Sequence, residues 1–340
     1  MSAQEKGPAI REPVGKDEPE YNMSHRGGRG YAIILNHTKF QNKKKYPDRT
    51  YKSKCIGASG NIEEKTDADH MVDVYRALGF RHIEVFHDLK RSQIMKLVDE
   101  YLRENRYYNF ADKDCLSMAI LSHGDKDTCG RFQAFNEAIQ FSDLWQPLAS
   151  NRIVDLGSKP KVIFFDCSRG NDTDIVKSES QVKNETTVSN SKGCFKGMEF
   201  PSSKPDNIDP TKFEGNVYKL PTLADFFLAF SSAEGYRAHN DKDESPYVKE
   251  LKSVILEKQK EDDDRKDHLL SIMCAVTRRV ATMFSLNNDE GKCYIKQCPS
   301  CTSTLIRKLY FRGNNKQGNV EPVNISSEEF DKYFEEKMRP

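Results

Sequence analysis

Two apolar segments of the chain end abruptly in side chains that can carry proton-transfer or nucleophilic chemistry. "CLSMAILSHGD" places His123 and Gly124 after one apolar run. "KVIFFDCSRG" places Asp166, Cys167 and Ser168 after another. Ligands bind outside the carboxyl ends of strands in open parallel sheets, so two such endings can share one site. A histidine paired with a cysteine or serine predicts a hydrolase that forms a covalent intermediate.

The segments that must position these residues alternate between two hydrophobic patterns. Short apolar runs predict buried strands at 31–36, 82–86, 115–121, 161–166 and 222–232, and helical periodicity predicts helices at 67–80, 91–105, 246–263 and 268–284. A final strand is predicted at 303–311. Apolar strands alternating with helices favour an α/β fold, with a mostly parallel sheet covered on both faces.

The polar stretches divide this pattern into five parts. Residues 1–29 are charged and rich in Gly and Pro, which predicts a short disordered segment. The first folded part spans 30–170, and a long polar stretch at 171–217 predicts a flexible linker. The second folded part spans 218–312. The remainder, 313–340, is predicted to be a polar tail with a possible short helix in "SSEEFDKYFEEK".

The composition excludes several classes of function. The chain has 340 residues and a net charge of +1, so charge gives no argument for nucleic acid or membrane partners. No apolar run reaches the roughly 20 residues of a membrane helix. The nine cysteines are irregularly spaced, which predicts reduced thiols and a cytoplasmic location. "CPSC" at 298–301 has no second pair at zinc-finger spacing, so we expect two buried thiols there, and neither a metal nor a cofactor.

Longer motifs resemble the caspase family, in particular the short-prodomain effector type of animals. "YNMSHRGGRGYAIILNHTKF" resembles the entry strand of that family and "ILSHGD" its histidine motif. "KLPTLADFFLAFSSAEGY" resembles the start of its small subunit, and "STLIRKLYF" its last strand. The resemblance spans roughly 21–312. It implies a caspase-like three-layer sandwich with a six-stranded sheet, a large and a small subunit divided by a cleavable linker, and pairing of two such units.

The same resemblance implies peptide-bond cleavage after Asp by a cysteine, with His123 and Gly124 as retained catalytic residues. "KPK" and "RG" flank the cysteine motif, and they place the nucleophile position on Ser168, with Cys167 one residue early. Successive strand side chains point to opposite faces, so Cys167 is expected to be a partly buried thiol. An alcohol is a weak nucleophile without an oriented base, so we expect almost no catalysis.

The family's specificity pocket holds the substrate Asp with two arginines and a glutamine. The first arginine position falls on Ala58, or on Asn61 without a gap. The second falls on Asn240, although Arg237 could reach in, and the glutamine position is Asp166. Like charges about 4 Å apart repel by roughly 4 kcal/mol at an effective dielectric of 20, so Asp166 should reject Asp. A carboxylate there would instead suit cleavage after Arg or Lys.

These expectations lead to a catalytically inactive caspase homologue, not an enzyme, that regulates apoptosis. Its expected partner is an active effector caspase paralogue in a heterodimer, or a second copy in a homodimer. The alternative is an active endopeptidase with altered specificity that uses Ser168 or a displaced Cys167, and a third possibility is a relic without partners. Asp174 and Asp206 are candidate cleavage sites in the linker.

Overall fold

The computed structural model describes residues 18–56, 61–104, 107–177, 221–239, 244–287, 293–313 and 320–339. The strands are β1 Gly30–Asn36, β2 Ser53–Ile56, β3 Ile62–Lys65, β4 His82–His87, β5 Cys115–Leu121, β6 Arg131–Gln133, β7 Ala138–Gln140, β8 Lys161–Asp166, β9 Asp174–Lys177, β10 Phe226–Phe230, β11 Leu286–Asn287, β12 Cys293–Lys296, β13 Ser300–Ser303 and β14 Val323–Ser326. The α-helices are α1 Asp67–Ala77, α2 Arg91–Lys96, α3 Phe141–Trp145, α4 Pro246–Lys258, α5 Leu269–Met283 and α6 Phe330–Lys337. A π-helix, Leu97–Leu102, continues α2, and Gln146–Leu148 and Val154–Leu156 are 3₁₀ turns.

Seven of these strands form the central sheet, in the order β13-β10-β8-β5-β1-β4-β14. Neighbouring strands run parallel except β13, which is antiparallel to β10. Every residue of β5, β8 and β10 is buried, which explains why these segments are apolar throughout instead of alternating. The α/β class is therefore confirmed, with a seventh strand that we did not expect.

A hydrophobic core lies on each face of the sheet, so the molecule has three layers. One core joins the sheet to α1, α4 and α5 and includes Met71, Leu251 and Val276. The other joins it to α2, α3 and α6 and includes Ile94 and Leu144. Among the described residues, no helix is both long enough and apolar enough to cross a membrane.

The last predicted strand is only partly correct. The structure places a strand at Ser300–Ser303, and the segment 303–311 leaves the sheet. Its backbone is held by other partners, since the amide of Ile306 donates to the Tyr21 hydroxyl. Leu309 and Phe311 are nonetheless buried in the core. The apolar residues of this segment therefore indicate burial against the core and not a strand of the central sheet.

The segment that we expected to be a polar tail contributes to the sheet and the core. Strand β14 pairs with β4, placing Ile325 opposite Phe86. Helix α6 confirms the short helix, and its Phe330 and Phe334 are fully buried. The Phe334 ring stacks on Tyr101 with ring centroids 3.7 Å apart. Two phenylalanines four residues apart bury one face of an otherwise polar helix.

The parallel register brings the carboxyl ends of the central strands to one edge of the sheet. Asn36 lies opposite Leu121, and Leu121 lies opposite Asp166. The residues that follow β5 and β8 are therefore neighbours in space, although they are far apart in sequence. This edge carries the side chains with which the sequence analysis began.

Candidate active site

The chain segments that follow β5 and β8 are in direct contact. The amide of Ser122 donates to the carbonyl oxygen of Asp166 at 3.1 Å. Gly124 packs so closely on the backbone of Ser168 that a Cβ at this position would overlap the Ser168 carbonyl oxygen. Glycine is needed here because no side chain fits between the two segments. Gly124, the residue after His123, is thereby held against Ser168 at the edge of the sheet.

His123 is held by a backbone carbonyl. Its Nε2 lies 2.7 Å from the carbonyl oxygen of Pro47, which fixes the ring and assigns the proton to Nε2. The rings of Phe40 and Tyr46 lie 4.9 and 6.1 Å away. Burial lowers the pKa of His123 to about 4. The imidazole is therefore neutral at pH 7, and its Nδ1 can accept a proton.

The neighbours Cys167 and Ser168 have opposite environments. Cys167 is 2% exposed and packs in the core that contains α3. Burial, reinforced by Asp166, raises the pKa of its thiol well above the ordinary range. Ser168 is half-buried, and its Oγ accepts a hydrogen bond of 3.1 Å from the amide of Ala238. The Ser168 hydroxyl also donates to the Ala238 carbonyl oxygen at 3.4 Å, so it is partly accessible and held by the Ala238 backbone, whereas the Cys167 thiol is enclosed.

A buried cluster of charges lies beside these residues. Arg49 donates from Nη2 to Oδ2 of Asp166 at 3.3 Å and to Oδ2 of Asp67 at 3.5 Å. Its Nη1 donates to the carbonyl oxygen of His37. Ser245 donates from its hydroxyl to Asp166 at 3.0 Å and from its amide to Asp67 at 3.1 Å. One guanidinium and one serine thus hold two carboxylates, and we call Arg49, Asp67, Asp166 and Ser245 the pocket cluster.

The two carboxylates of the pocket cluster carry more charge than Arg49 neutralises. Burial raises the pKa of Asp166 to about 6, and the neighbouring Asp67 adds to this effect against the opposing effect of Arg49. The hydroxyl of Tyr247 lies near Asp166 and is fully buried. It has no hydrogen-bond partner in the part of the chain that the structure describes.

Arg49 is the arginine of the pocket cluster, and the sequence analysis did not name it. We searched for the pocket arginine immediately before α1, but the β2–β3 hairpin separates Arg49 from that helix. Asn61, one of the two positions named for it, is exposed at the tip of this hairpin. The sequence carries no signal for Arg49, because only the structure identifies the Pro47 carbonyl, two residues before it, as the group that holds His123.

Three other predicted residues lie outside the described residues, namely Ala58, Asn240 and Asp206. Their roles stay predictions. Asp174 is described, and it begins β9, where it pairs with Lys296 of β12. Cleavage after Asp174 would need this ladder to open first.

Cys298 and Cys301 are both exposed, so the expectation of two buried thiols is wrong. No cluster of three metal-ligating side chains occurs among the described residues. A cleft of about 210 Å³ opens beside the pocket cluster. It is lined by Asn36, Thr38, Arg49, Thr50, Tyr51, Lys52, Thr66 and Asp67.

Comparison with known proteins identifies the family. The model of the caspase domain, a family of peptidases, matches residues 29–310. The chain belongs to the caspase family. It is similar to Caspase-1 of Spodoptera frugiperda, with 26% identity over 303 residues that cover 88% of the chain and 84% of the relative. It is also similar to Caspase-6 of Gallus gallus, with 27% identity over 87% of the chain and 84% of the relative.

Solved structures agree with this assignment. The crystal structure of Caspase-1 from Spodoptera frugiperda superimposes with a TM-score of 0.63 at 25% identity, covering 90% of this chain and 98% of that one. The caspase-like three-layer sandwich expected from the sequence is therefore confirmed.

The expectation that this caspase-family chain is not an enzyme is contradicted by the same matches. The matching family is one of peptidases, and the relatives, which include the caspase drICE of Drosophila melanogaster, are named as caspases. These matches show no loss of the nucleophile. A serine at the nucleophile position does not by itself abolish catalysis, because the reactivity of a hydroxyl depends on its general base. In the structure, His123 is neutral and held by Pro47 beside that position.

Proposed function

We propose that the protein is an endopeptidase of the caspase family with an altered preference for the residue before the scissile bond. The observation that carries this proposal is the buried ion pair between Arg49 and Asp166, which engages the guanidinium inside the pocket. Membership of a peptidase family supports the activity. The imidazole of His123, held at Nε2 by the carbonyl oxygen of Pro47, supports a role as general base through Nδ1.

The proposed reaction is acyl transfer to Ser168. Nδ1 of His123 accepts the hydroxyl proton while Oγ attacks the scissile carbonyl carbon. The tetrahedral intermediate collapses, the peptide C–N bond breaks, and His123 returns the proton to the leaving amine. Water, activated in the same way, then hydrolyses the ester. Cys167 is the alternative nucleophile, but its thiol is enclosed and its raised pKa keeps it protonated.

The pocket cluster supports a preference for Arg or Lys over Asp. Arg49 already pairs with Asp166 and Asp67, and all three residues are at most 8% exposed. A substrate carboxylate would be the third negative group around one guanidinium, and each carboxylate about 4 Å away repels it by roughly 4 kcal/mol at an effective dielectric of 20. A cationic side chain would instead meet the excess negative charge.

A peptide-cleavage assay at pH 7.5 tests the activity and the preference together. Matched fluorogenic peptides differ only in Lys, Arg, Asp or Ala before the scissile bond. We expect cleavage after Lys and Arg, and we expect Ser168→Ala and His123→Ala to abolish it. Cys167→Ala, which removes the neighbouring thiol, is the matched control and should retain activity. Absence of cleavage in all four peptides, or loss of activity in Cys167→Ala alone, would refute the proposal.

We also propose that the chain pairs with a second caspase-fold subunit through β13. This strand pairs with β10 on one side, and its Cys301, Thr302 and Ser303 are exposed. Leu270 and Cys274 of α5 add exposed surface, and Cys274 lies near Cys301. The second subunit would be another copy, or an active effector caspase, which would place the protein in apoptosis. Sedimentation of the protein alone and mixed with an effector caspase distinguishes the two. Cys301→Pro should abolish either complex, because the register with β10 directs the Cys301 N–H away from β10 and towards the open edge of β13.

A further inference from the structure

The Asp166 carboxylate is enclosed by side chains from several separate parts of the fold. Arg49 comes from the segment between β1 and β2, Asp67 from the first turn of α1, and Ser245 is the N-cap of α4. Asp166 itself is the last residue of β8 and is 3% exposed. A change at this one carboxylate is therefore transmitted directly to the residues that form the pocket.

We infer that Asp166 is a proton-dependent specificity switch. When it is ionised, it engages Arg49 and the pocket accepts a basic side chain, and when it is protonated, it releases Arg49 to bind an acidic one. This inference rests on the proposed function, because it concerns the substrates of the same pocket.

Counting charges shows why one proton suffices. With both carboxylates ionised, Arg49, Asp67 and Asp166 together carry one net negative charge, which favours a cation. Protonation of Asp166 makes the group neutral and leaves Arg49 with one carboxylate partner, at 3.5 Å. A guanidinium has five N–H donors and can bind a second carboxylate. A protonated Asp166 is also neutral and able to donate a hydrogen bond, as is the glutamine amide that the caspase family has at this position.

A buried hydroxyl group without a described hydrogen-bond partner lies near this group. The Tyr247 hydroxyl is fully buried near Asp166, and it lacks a hydrogen-bond partner among the residues that the structure describes. Unpaired buried hydroxyl groups are rare and cost stability, so such a group indicates a missing partner. Burial raises the pKa of Tyr247 well above its usual range, so the hydroxyl stays protonated and able to donate.

The surroundings of Asp166 place the proton uptake in a mildly acidic range. The groups that face it are Arg49, Asp67, Ser245, Ser231 at the end of β10, Tyr247 of α4, and the adjacent Cys167. Burial raises the pKa of Asp166 to about 6. His123 has its pKa lowered to about 4 by burial, so the imidazole stays neutral while Asp166 titrates. The specificity can therefore change while the base remains competent.

Peptide binding tests the switch without relying on turnover. The Ser168→Ala protein is titrated with two fluorescent peptide amides, ending in Asp or in Lys, between pH 5 and pH 8. Because one proton is taken up, binding of the Asp peptide should tighten by about tenfold per pH unit as the pH falls from 8 towards 6. Binding of the Lys peptide should weaken by only about twofold down to pH 6 and by up to about tenfold from pH 6 to pH 5. Both effects should be absent in a matched background carrying Asp166→Asn, which should bind the Asp peptide at every pH.

Two controls keep the result interpretable. Asp127→Asn changes an exposed carboxylate and should leave both pH profiles unchanged. Asp67→Asn removes the neighbour that helps to raise the pKa of Asp166, so the midpoint of the switch should move to lower pH. This variant tests the switch independently if Asp166→Asn does not fold. Identical pH profiles with and without Asp166, or an unshifted midpoint in Asp67→Asn, would overturn the inference. Failure of the wild-type protein to cleave any peptide would instead overturn the proposed function. The binding profiles would still decide whether Asp166 controls which peptide binds.

Discussion

Substitution of Arg49 by methionine should destabilise the protein by an amount that depends strongly on pH. Methionine retains much of the side-chain length but removes the charge that pairs with Asp67 and Asp166. Removal of one partner from a buried ion pair costs about 3–5 kcal/mol, because the remaining charge is left uncompensated. Here two carboxylates would remain without their guanidinium.

The direction of the pH dependence follows from the raised pKa of Asp166. Its pKa rises from 3.8 in the unfolded chain to about 6 in the folded protein, chiefly through burial. The folded state therefore binds more protons between these values, and the contribution of Asp166 to stability decreases by about 3 kcal/mol as the pH rises through this range. Without Arg49 the pKa of Asp166 would rise further. The cost of Arg49→Met should therefore be smaller near pH 5, where the lost pair with Asp67 remains, and should increase as the pH rises above 6.

Urea unfolding at pH 5.0, 6.0 and 7.5 measures this cost, with fluorescence of Trp145 as the probe. The double variant Arg49→Met/Asp166→Asn is the matched control, and it should recover part of the lost stability at pH 7.5 because one buried charge has been removed. Arg26→Met, a substitution of the same type, should change the free energy of unfolding by less than about 0.5 kcal/mol at an exposed site. A loss in Arg49→Met below about 1 kcal/mol at pH 7.5, or one equal at all three pH values, would refute the reasoning.

Four further predictions concern the site and the fold. Ser168→Cys should raise kcat/KM, because a thiol is partly ionised near neutral pH and is the stronger nucleophile; a lower value in the peptide assay would contradict the assigned position of Ser168. Gly124→Ala should abolish cleavage and lower the free energy of unfolding by about 1–3 kcal/mol, because the new Cβ would overlap the Ser168 carbonyl oxygen. Wild-type activity and an unchanged melting temperature would contradict this prediction. For the peptide with Ala before the scissile bond, protonation of His123 should reduce kcat/KM only near pH 4. A decrease in kcat/KM centred at pH 6.5 would instead show that the pKa of the imidazole is not lowered. Phe334→Ala should cost about 3–5 kcal/mol in urea unfolding, whereas an unchanged midpoint would show that α6 does not pack on the core.

Local patterns predicted the strands that carry the candidate site. β5 and β8 are apolar at nearly every position because both of their faces are covered, and this pattern is readable without a structure. The polar residues that follow them stand out for the same reason. His123, Gly124 and Ser168 could therefore be named from the sequence, and the structure brings Gly124 into contact with Ser168.

The strand pattern was less informative near the end of the chain. The 303–311 segment has the apolar pattern of a strand, but only Leu309 and Phe311 are buried in the core, and its backbone pairs outside the central sheet. β14 is short and polar, and its pairing with β4 depends on a neighbour far away in sequence. Hydrophobicity reports burial, and burial alone does not distinguish a strand from a packed loop.

By itself, the sequence determined the α/β class, the caspase family and the two strand endings that form the candidate site. Only the tertiary structure decided what fills the pocket. Arg49 and Asp166 are 117 residues apart, and no local pattern connects them. The hairpin inserted between Arg49 and α1 also displaced the arginine from the position where we searched. The charge of a binding pocket is a sum over side chains that meet only after folding, whereas strand and helix patterns are set by neighbours within a few residues.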